Sequence, residues 1–160
     1  MKTLILIRHG DAEYSCQNSD FDRELSSNGK TQIVKVADIL GSLNIRPQII
    51  IASPASRTEE TTIILCNKLS INIKDVEYES NFYYKGYDAY IDKIIGTNDS
   101  VDSLLIVGHN PAISELASSF SSNSIFEMTT GAIVIFSFDI LSWSSIYSCE
   151  KMEIFSSMDN

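Results

Sequence analysis

Apolar residues along this chain come in two rhythms. Short unbroken apolar runs occur at Thr3-Leu4-Ile5-Leu6-Ile7, Ile49-Ile50-Ile51-Ala52 and Ser103-Leu104-Leu105-Ile106-Val107. Rich in β-branched residues and of strand length, they read as strands buried on both faces. Between them, apolar residues recur at helical spacing. Ile33, Val36, Ala37 and Leu40 place a helix over Lys30–Ser42, with Gly41 near its end. Ser53-Pro54 opens a second helix, serine as N-cap and proline in the first turn, that continues to about Lys68. Tyr87–Ile95 reads as a short helix, and Pro111 begins another that runs to about Ser118. Asp75–Tyr78 is a short strand. Ala132–Phe138 and Ser145–Cys149 form a closing hairpin at a sheet edge. Gly10–Phe21 is a polar loop, Asp22–Gly29 is turn-rich, and Ser118–Ser124 is a serine-rich loop. Strands alternating with helices predict an α/β fold, a three-layer α/β/α sandwich on a mostly parallel central sheet. With neither internal repeat nor linker, residues 1–160 are expected to form a single domain.

Composition narrows the function. Hydrophobic residues are 44% of the 160, enough for a real core. The formal net charge of −9 argues against nucleic acid or an anionic membrane as a general partner. It leaves an anionic substrate open, because a local cluster of cations overrides the global field. The four arginines are Arg8, Arg23, Arg46 and Arg57. Cys16, Cys66 and Cys149 are an odd, widely spaced set, which fits neither a disulfide framework nor a zinc site and suits a reducing cytoplasm. The apolar run after Lys2 is too short for a signal peptide, and no stretch has transmembrane length. The expectation is a cytoplasmic protein with no membrane partner, no cofactor and no metal.

The candidate chemistry lies at strand ends. Both histidines of the chain follow apolar runs, His9 in Arg8-His9-Gly10 and His109 in Gly108-His109-Asn110-Pro111. In open α/β sheets, ligands bind at the carboxyl ends of the strands. Taken singly, each histidine is equally a polar strand end or a loop residue. As chemistry, His9 is a nucleophilic imidazole, mostly neutral at an unperturbed pKa of about 6.5. Arg8 supplies a fixed cation for phosphate oxygens. Arg57, in Ser53-Pro54-Ala55-Ser56-Arg57, falls in the first turn of a helix. That position is mildly unfavourable for a cation unless an anion binds there. His109 would complete a ring of phosphate-binding groups, and Arg23 in Asp22-Arg23-Glu24-Leu25-Ser26-Ser27-Asn28-Gly29 is either a further member or solvated.

In this order the elements resemble the histidine phosphatase superfamily, the phosphoglycerate-mutase-like fold, and most closely its small SixA-type phosphohistidine phosphatases. The resemblance rests on Arg8 to Ala12, on Arg23 to Gly29, on Ser53 to Thr61, on His109 to Pro111 and on Thr129-Thr130-Gly131-Ala132, and spans almost the whole chain. It implies that His9 is the phosphorylated nucleophile and that Arg8, Arg23, Arg57 and His109 form the phosphate pocket. Ser26 stands for the usual threonine and Glu60 for the usual glutamine. Asn81 stands where larger relatives carry a glutamate general acid, with Glu77, Glu79 and Asp11 as other carboxylates nearby in the pattern.

Other phosphate chemistries fit worse. Cys16 and Arg23 are separated by one residue too many for a cysteine phosphatase loop, and Glu24 stands where a Walker loop needs glycine. No Gly-x-Ser-x-Gly elbow occurs. A zinc hydrolase needs more ligands than two histidines and Asp11 give. A mutase would need a longer lid. The expected function is a phosphohydrolase acting through phospho-His9 on a phosphorylated protein. The alternatives are a phosphomonoesterase acting on a small phosphate ester and a non-catalytic phosphate- or phosphoprotein-binding module.

Overall fold

A computed structural model describes residues 1–14, 19–121, 127–148 and 151–157. Strands β1 (Lys2–Arg8), β2 (Ile49–Ala52), β3 (Val76–Tyr78), β4 (Ser103–Gly108), β5 (Ile133–Phe138) and β6 (Lys151–Ser157) form one sheet in the order β3-β2-β4-β1-β5-β6. The first four positions are parallel, and β5 and β6 are added antiparallel beside β1. The helices are α1 (Ser27–Ser42), α2 (Ser56–Leu69), α3 (Asn81–Tyr84), α4 (Tyr87–Ile95) and α5 (Ala112–Phe120).

The continuous apolar runs are explained by burial on both faces. Along β1, Ile5 and Ile7 pack with Ile33, Val36, Leu40 and Leu65 of α1 and α2. Leu4 and Leu6 pack with Tyr90, Ile94, Leu116 and Phe120 of α4 and α5. Successive side chains alternate between faces, so a strand between two helical layers has no polar position left. Each such side chain contributes about 1.5–3 kcal/mol relative to an exposed one.

Four boundaries differ from the sequence reading, each for a local reason. Helix α1 starts at Ser27, capped by Ser26, whose hydroxyl accepts from Gly29 N at 3.0 Å. Gly29 reads as a turn residue, yet it sits in the helix because the strand-end loop presses on it. A Cβ there would lie 2.0 Å from Asp11 O, and one on Gly10 would lie 2.6 Å from Gly29 O. Helix α2 starts at Ser56 with Ala55 as its cap residue, and Ser53 and Pro54 lie before it. The Ser53 hydroxyl lies ahead of the helix, where it bonds His109 Nε2 at 2.8 Å and accepts from Ala55 N–H at 3.4 Å. Pro111 is the cap residue of α5, and that helix runs on to Phe120, through part of the predicted serine-rich loop; residues 122–126 lie outside the described ones.

The predicted strand Ser145–Cys149 is not one. Trp143–Ser145 is a short 3-10 turn, and the strand that pairs with β5 is Lys151–Ser157; Cys149 lies outside the described residues. Trp143 pins that turn away from the sheet edge, its indole N–H donating to Val101 O at 2.8 Å and its backbone N–H to Asp99 Oδ1 at 2.9 Å. A register shift between Ile135 and Phe136 breaks the pairing that a simple alternation would give β6.

Candidate active site

Three neighbouring parallel strands, β2, β4 and β1, end side by side, and Ser53, His109 and His9 are the residues that follow them. The strand ladder extends into these residues. His9 N–H donates to Gly108 O at 3.2 Å, and Ser53 N–H donates to Val107 O at 3.2 Å. Backbone pairing, rather than side-chain preference, therefore brings the two histidines together, with ring centroids 5.1 Å apart.

The hydrogen bonds of His9 settle its tautomer. Nδ1 lies 2.7 Å from Gly10 O, which can only accept, so Nδ1 carries the proton. Arg57 Nε–H, which can only donate, points at His9 Nε2 at 3.2 Å, so Nε2 holds the lone pair. His9 is 7% exposed and Arg57 6%. His109 is held on the other side. Its Nε2 meets the Ser53 hydroxyl, while its backbone N–H donates to Tyr90 Oη at 3.3 Å. Buried Tyr90 donates in turn to Phe82 O at 3.2 Å, and a Cβ on Gly108 would lie 2.4 Å from that hydroxyl.

Two buried nitrogens in these side chains, Arg8 Nε and His109 Nδ1, are without a partner among the described residues. Arg8 is otherwise anchored through Nη1 to Met128 O at 2.8 Å. A buried polar group left unpaired costs about 1–3 kcal/mol. The third such atom, Ser103 Oγ, belongs to the opposite end of β4. Two unpartnered nitrogens near the free lone pair of His9 suit the binding of an anion. No group of three or more His, Cys, Asp or Glu side chains placed to hold a metal occurs among the described residues.

The model of the histidine phosphatase superfamily, branch 1, matches residues 4–82, which hold His9, Arg23 and Arg57. An uncharacterized chloroplastic protein of Arabidopsis thaliana is 31% identical over 156 residues, 92% of this chain and 71% of that protein. The chain belongs to the histidine phosphatase superfamily. Among solved structures, one from Agrobacterium tumefaciens described as a putative phosphohistidine phosphatase SixA superposes with a TM-score of 0.83 at 21% identity, covering 98% of this chain and 97% of that one. A glucosyl-3-phosphoglycerate phosphatase of Mycobacterium tuberculosis is 30% identical over 76 residues, 46% of this chain and a third (33%) of that enzyme.

Within this histidine phosphatase fold, Arg57 bonds His9, the His9 and His109 rings are neighbours, and Arg8 and Arg57 both act on the two imidazoles through their charge. Arg23 does not join them directly. Its guanidinium holds Glu13 O at 3.0 Å, Ala12 O at 3.4 Å and Asp20 Oδ1 at 3.1 Å. Asp20 is the link. Its backbone O accepts from Arg57 Nη1 at 2.6 Å, and its Oδ2 accepts from Arg57 Nη2 at 3.1 Å and from the Tyr83 hydroxyl at 3.0 Å. Tyr83 also sets its ring edge against His109, with centroids 5.8 Å apart.

The carboxylates considered from sequence point elsewhere. Asp11 accepts from Ser26 Oγ at 2.6 Å. Glu77 is bonded to Lys93, and Glu79 accepts from Asn81 N–H at 2.9 Å. Asn81 is exposed at the start of α3 and makes no side-chain bond to the four residues, among the described ones. Glu60 is a brace, accepting from Leu25 N–H at 3.2 Å and pairing with Lys30 at 3.2 Å. Sequence reasoning missed Asp20, Tyr83 and Tyr90. The one available signal was the acidic pair Asp20 and Asp22 just before Arg23.

Electrostatics keep both imidazoles neutral. Burial, then the neighbouring His109, holds His9 well below the usual histidine value, and Arg57 and Arg8 add to this while the Gly10 bond opposes it. Arg8 lowers it as a neighbouring cation should, but burial dominates. Burial and Arg57 lower His109 to about 3. For Asp20, burial pushes upward, and the bonds from Arg23, Arg57 and Tyr83 outweigh it, so the carboxylate stays ionised below its usual range.

Proposed function

We propose that this histidine phosphatase hydrolyses phosphoryl groups through phospho-His9, with no cofactor, and that its substrate is a phosphohistidine-bearing protein. The observation that carries this reading is the neutral His9 with its lone pair on Nε2, beside an arginine and a histidine whose Nε and Nδ1 are unpartnered among the described residues. In the first half-reaction Nε2 attacks phosphorus in line, and Arg57 Nε–H turns from the lone pair to a phosphoryl oxygen. His109 is set for the same task. Ser53 Oγ accepts from Ala55 N–H at 3.4 Å, and its own proton goes to His109 Nε2, leaving Nδ1–H free for an oxygen. Phosphoryl transfer depends mainly on positioning and on neutralising charge at the transferring oxygens, which Arg8, Arg57 and His109 supply. In the second half, water releases phosphate and regenerates His9. We take residues 1–160 as one such domain and place it in the cytoplasm, where buried Cys66 stays reduced; no helix among the described residues is long and apolar enough to cross a membrane.

Substrate class follows from the acid. A glutamate is not in place at Asn81, so leaving groups that need a strong proton donor are disfavoured. The imidazole of a phosphohistidine departs with a conjugate-acid pKa of about 6.5, far below that of an alkoxide. General acid catalysis is worth about 10²–10⁴-fold, which serine and sugar phosphates would forgo. The match to a glucosyl-3-phosphoglycerate phosphatase favours a second reading, a small-molecule phosphomonoesterase. The deciding experiment compares kcat/KM on a phosphohistidine protein, an aryl phosphate, and serine or sugar phosphates. Turnover of the first two with poor turnover of the aliphatic esters is expected. Efficient hydrolysis of the esters would favour the second reading. Phosphate binding without any turnover would leave a phosphoprotein-binding module.

A further inference from the structure

Asp20 is the carboxylate that bonds both Arg23 and Arg57, and no motif pointed to it. Its two oxygens offer about four lone-pair positions. Three are filled, by Arg23 Nη1 at 3.1 Å, Arg57 Nη2 at 3.1 Å and the Tyr83 hydroxyl at 3.0 Å. One has no partner among the described residues, on a side chain that is 56% exposed and so open to water. The same Arg57 guanidinium bonds Asp20 Oδ2 through Nη2 and His9 Nε2 through Nε, so base and nucleophile stand one guanidinium apart. Tyr83 aims the carboxylate and is itself braced edge-on by Phe21, with ring centroids 5.0 Å apart.

We propose that Asp20 is the general base that activates water against phospho-His9, an assignment that rests on His9 being the phosphorylated nucleophile. The water oxygen forms the new O–P bond. The P–Nε2 bond breaks, and its electron pair returns to the imidazole. The proton leaving the water passes to the free lone pair of Asp20 and from there to solvent as phosphate departs. Three donors that keep Asp20 ionised make it a poor acid for a departing alkoxide, yet ready as a base in the second half-reaction. Transfer of the phosphoryl group to His9 also draws Arg57 toward the new oxygens and brings negative charge nearer Asp20, which raises its proton affinity when the water is to be deprotonated.

The test separates the two halves of the reaction by rapid quench with 4-nitrophenyl phosphate. In Asp20→Asn the burst of nitrophenolate should persist at about its original rate. The steady-state rate should fall by about 10²–10⁴-fold, as for loss of a general base. Acid-labile, alkali-stable phosphoenzyme should accumulate. Formate should restore steady-state turnover to Asp20→Gly. Parallel loss of burst and steady state, no loss of either, or no response to formate would overturn the proposal and leave Asp20 as a tether for Arg57. If the Asp20 variants do not fold, Tyr83→Phe decides: it should lower the steady-state rate alone, and an equal effect on the burst overturns the assignment. Failure of the underlying reading looks different, because then the unmodified protein forms no phosphohistidine in a single turnover.

Discussion

The floor of the site and its rim are built by different means. On the floor, His9 and Arg57 are buried and His109 is half-buried, and most of their bonds go to backbone or to buried side chains. On the rim, Asp20 and Arg23 are 56% and 29% exposed, and they meet each other and Arg57 as side-chain pairs open to solvent. A floor laid on strand ends cannot shift without breaking the ladder, so its tautomers and its lone pair are set before any substrate arrives. The rim is held by ion pairs of the exposed kind, typically worth about 0–1 kcal/mol, and can rearrange when an anion enters. The comparison separates groups that set the chemistry from groups that adapt to it.

The harshest break of the floor is His9→Ala. Turnover should fall by at least about 10⁴-fold, in line with the loss of other covalent nucleophiles, with the thermal unfolding profile little changed. Activity within tenfold of the original in a steady-state assay would remove His9 from the mechanism.

Arg57→Ala comes next, because one guanidinium serves both regions. It should cost about 2–4 kcal/mol in the transition state, read as kcat/KM on an aryl phosphate, by analogy with removal of an oxyanion donor. Arg57→Lys should recover little of this, since the three N–H groups of an ammonium radiate from one nitrogen and lack the planar fork that reaches His9 Nε2 and Asp20 together. Full recovery by lysine would mean that charge alone matters and that the link between floor and rim does not.

A pH series sharpens the contrast without mutation. Both histidines have folded values below the unfolded one of about 6.5. Below that pH the unfolded chain binds protons that the fold refuses, so this contribution is fully present above about 6.5 and is lost as pH falls. Each histidine should remove up to about 1.4 kcal/mol per pH unit from the unfolding free energy. Urea denaturation between about pH 7 and pH 5 reads the slope, and His9→Ala should lower it by one proton. Over the same range the chemical step should stay level, because His9 loses its lone pair only well below its ordinary value. A rate that climbs as pH drops would contradict a neutral nucleophile.

Arg23→Ala should have the smallest effect, under about 1 kcal/mol in kcat/KM, and high salt should shrink it further. A loss as large as that of Arg57→Ala would place Arg23 on the floor, in direct contact with the phosphoryl group.

Legibility follows the same division. Arg8, His9 and His109 could be read because each follows a run whose apolar pattern alone requires a buried strand, and a strand end faces the ligand edge of such a sheet. Arg57 could be read from the strand and helix around it, although Ser53 proved to orient His109 rather than to cap that helix. Asp20 could not be read, since a carboxylate in a polar loop carries no periodic signal. Nor could Tyr90, whose helical spacing marks it as core whether or not its hydroxyl meets His109 N–H.

The order of runs and breakers along the chain determined the layers, the mostly parallel sheet and the edge at which cations gather, because burial of alternating faces is a local property of each segment. The tertiary structure alone decided which nitrogen of His9 is free, that Arg57 reaches both His9 and Asp20, and that Tyr83 rather than Asn81 is the α3 residue at the pocket. Those outcomes depend on distances between segments far apart in the chain, from Gly10 to Gly29 and from Asp20 to Arg57 and Tyr83, and on donors and acceptors matched only after the strands have paired.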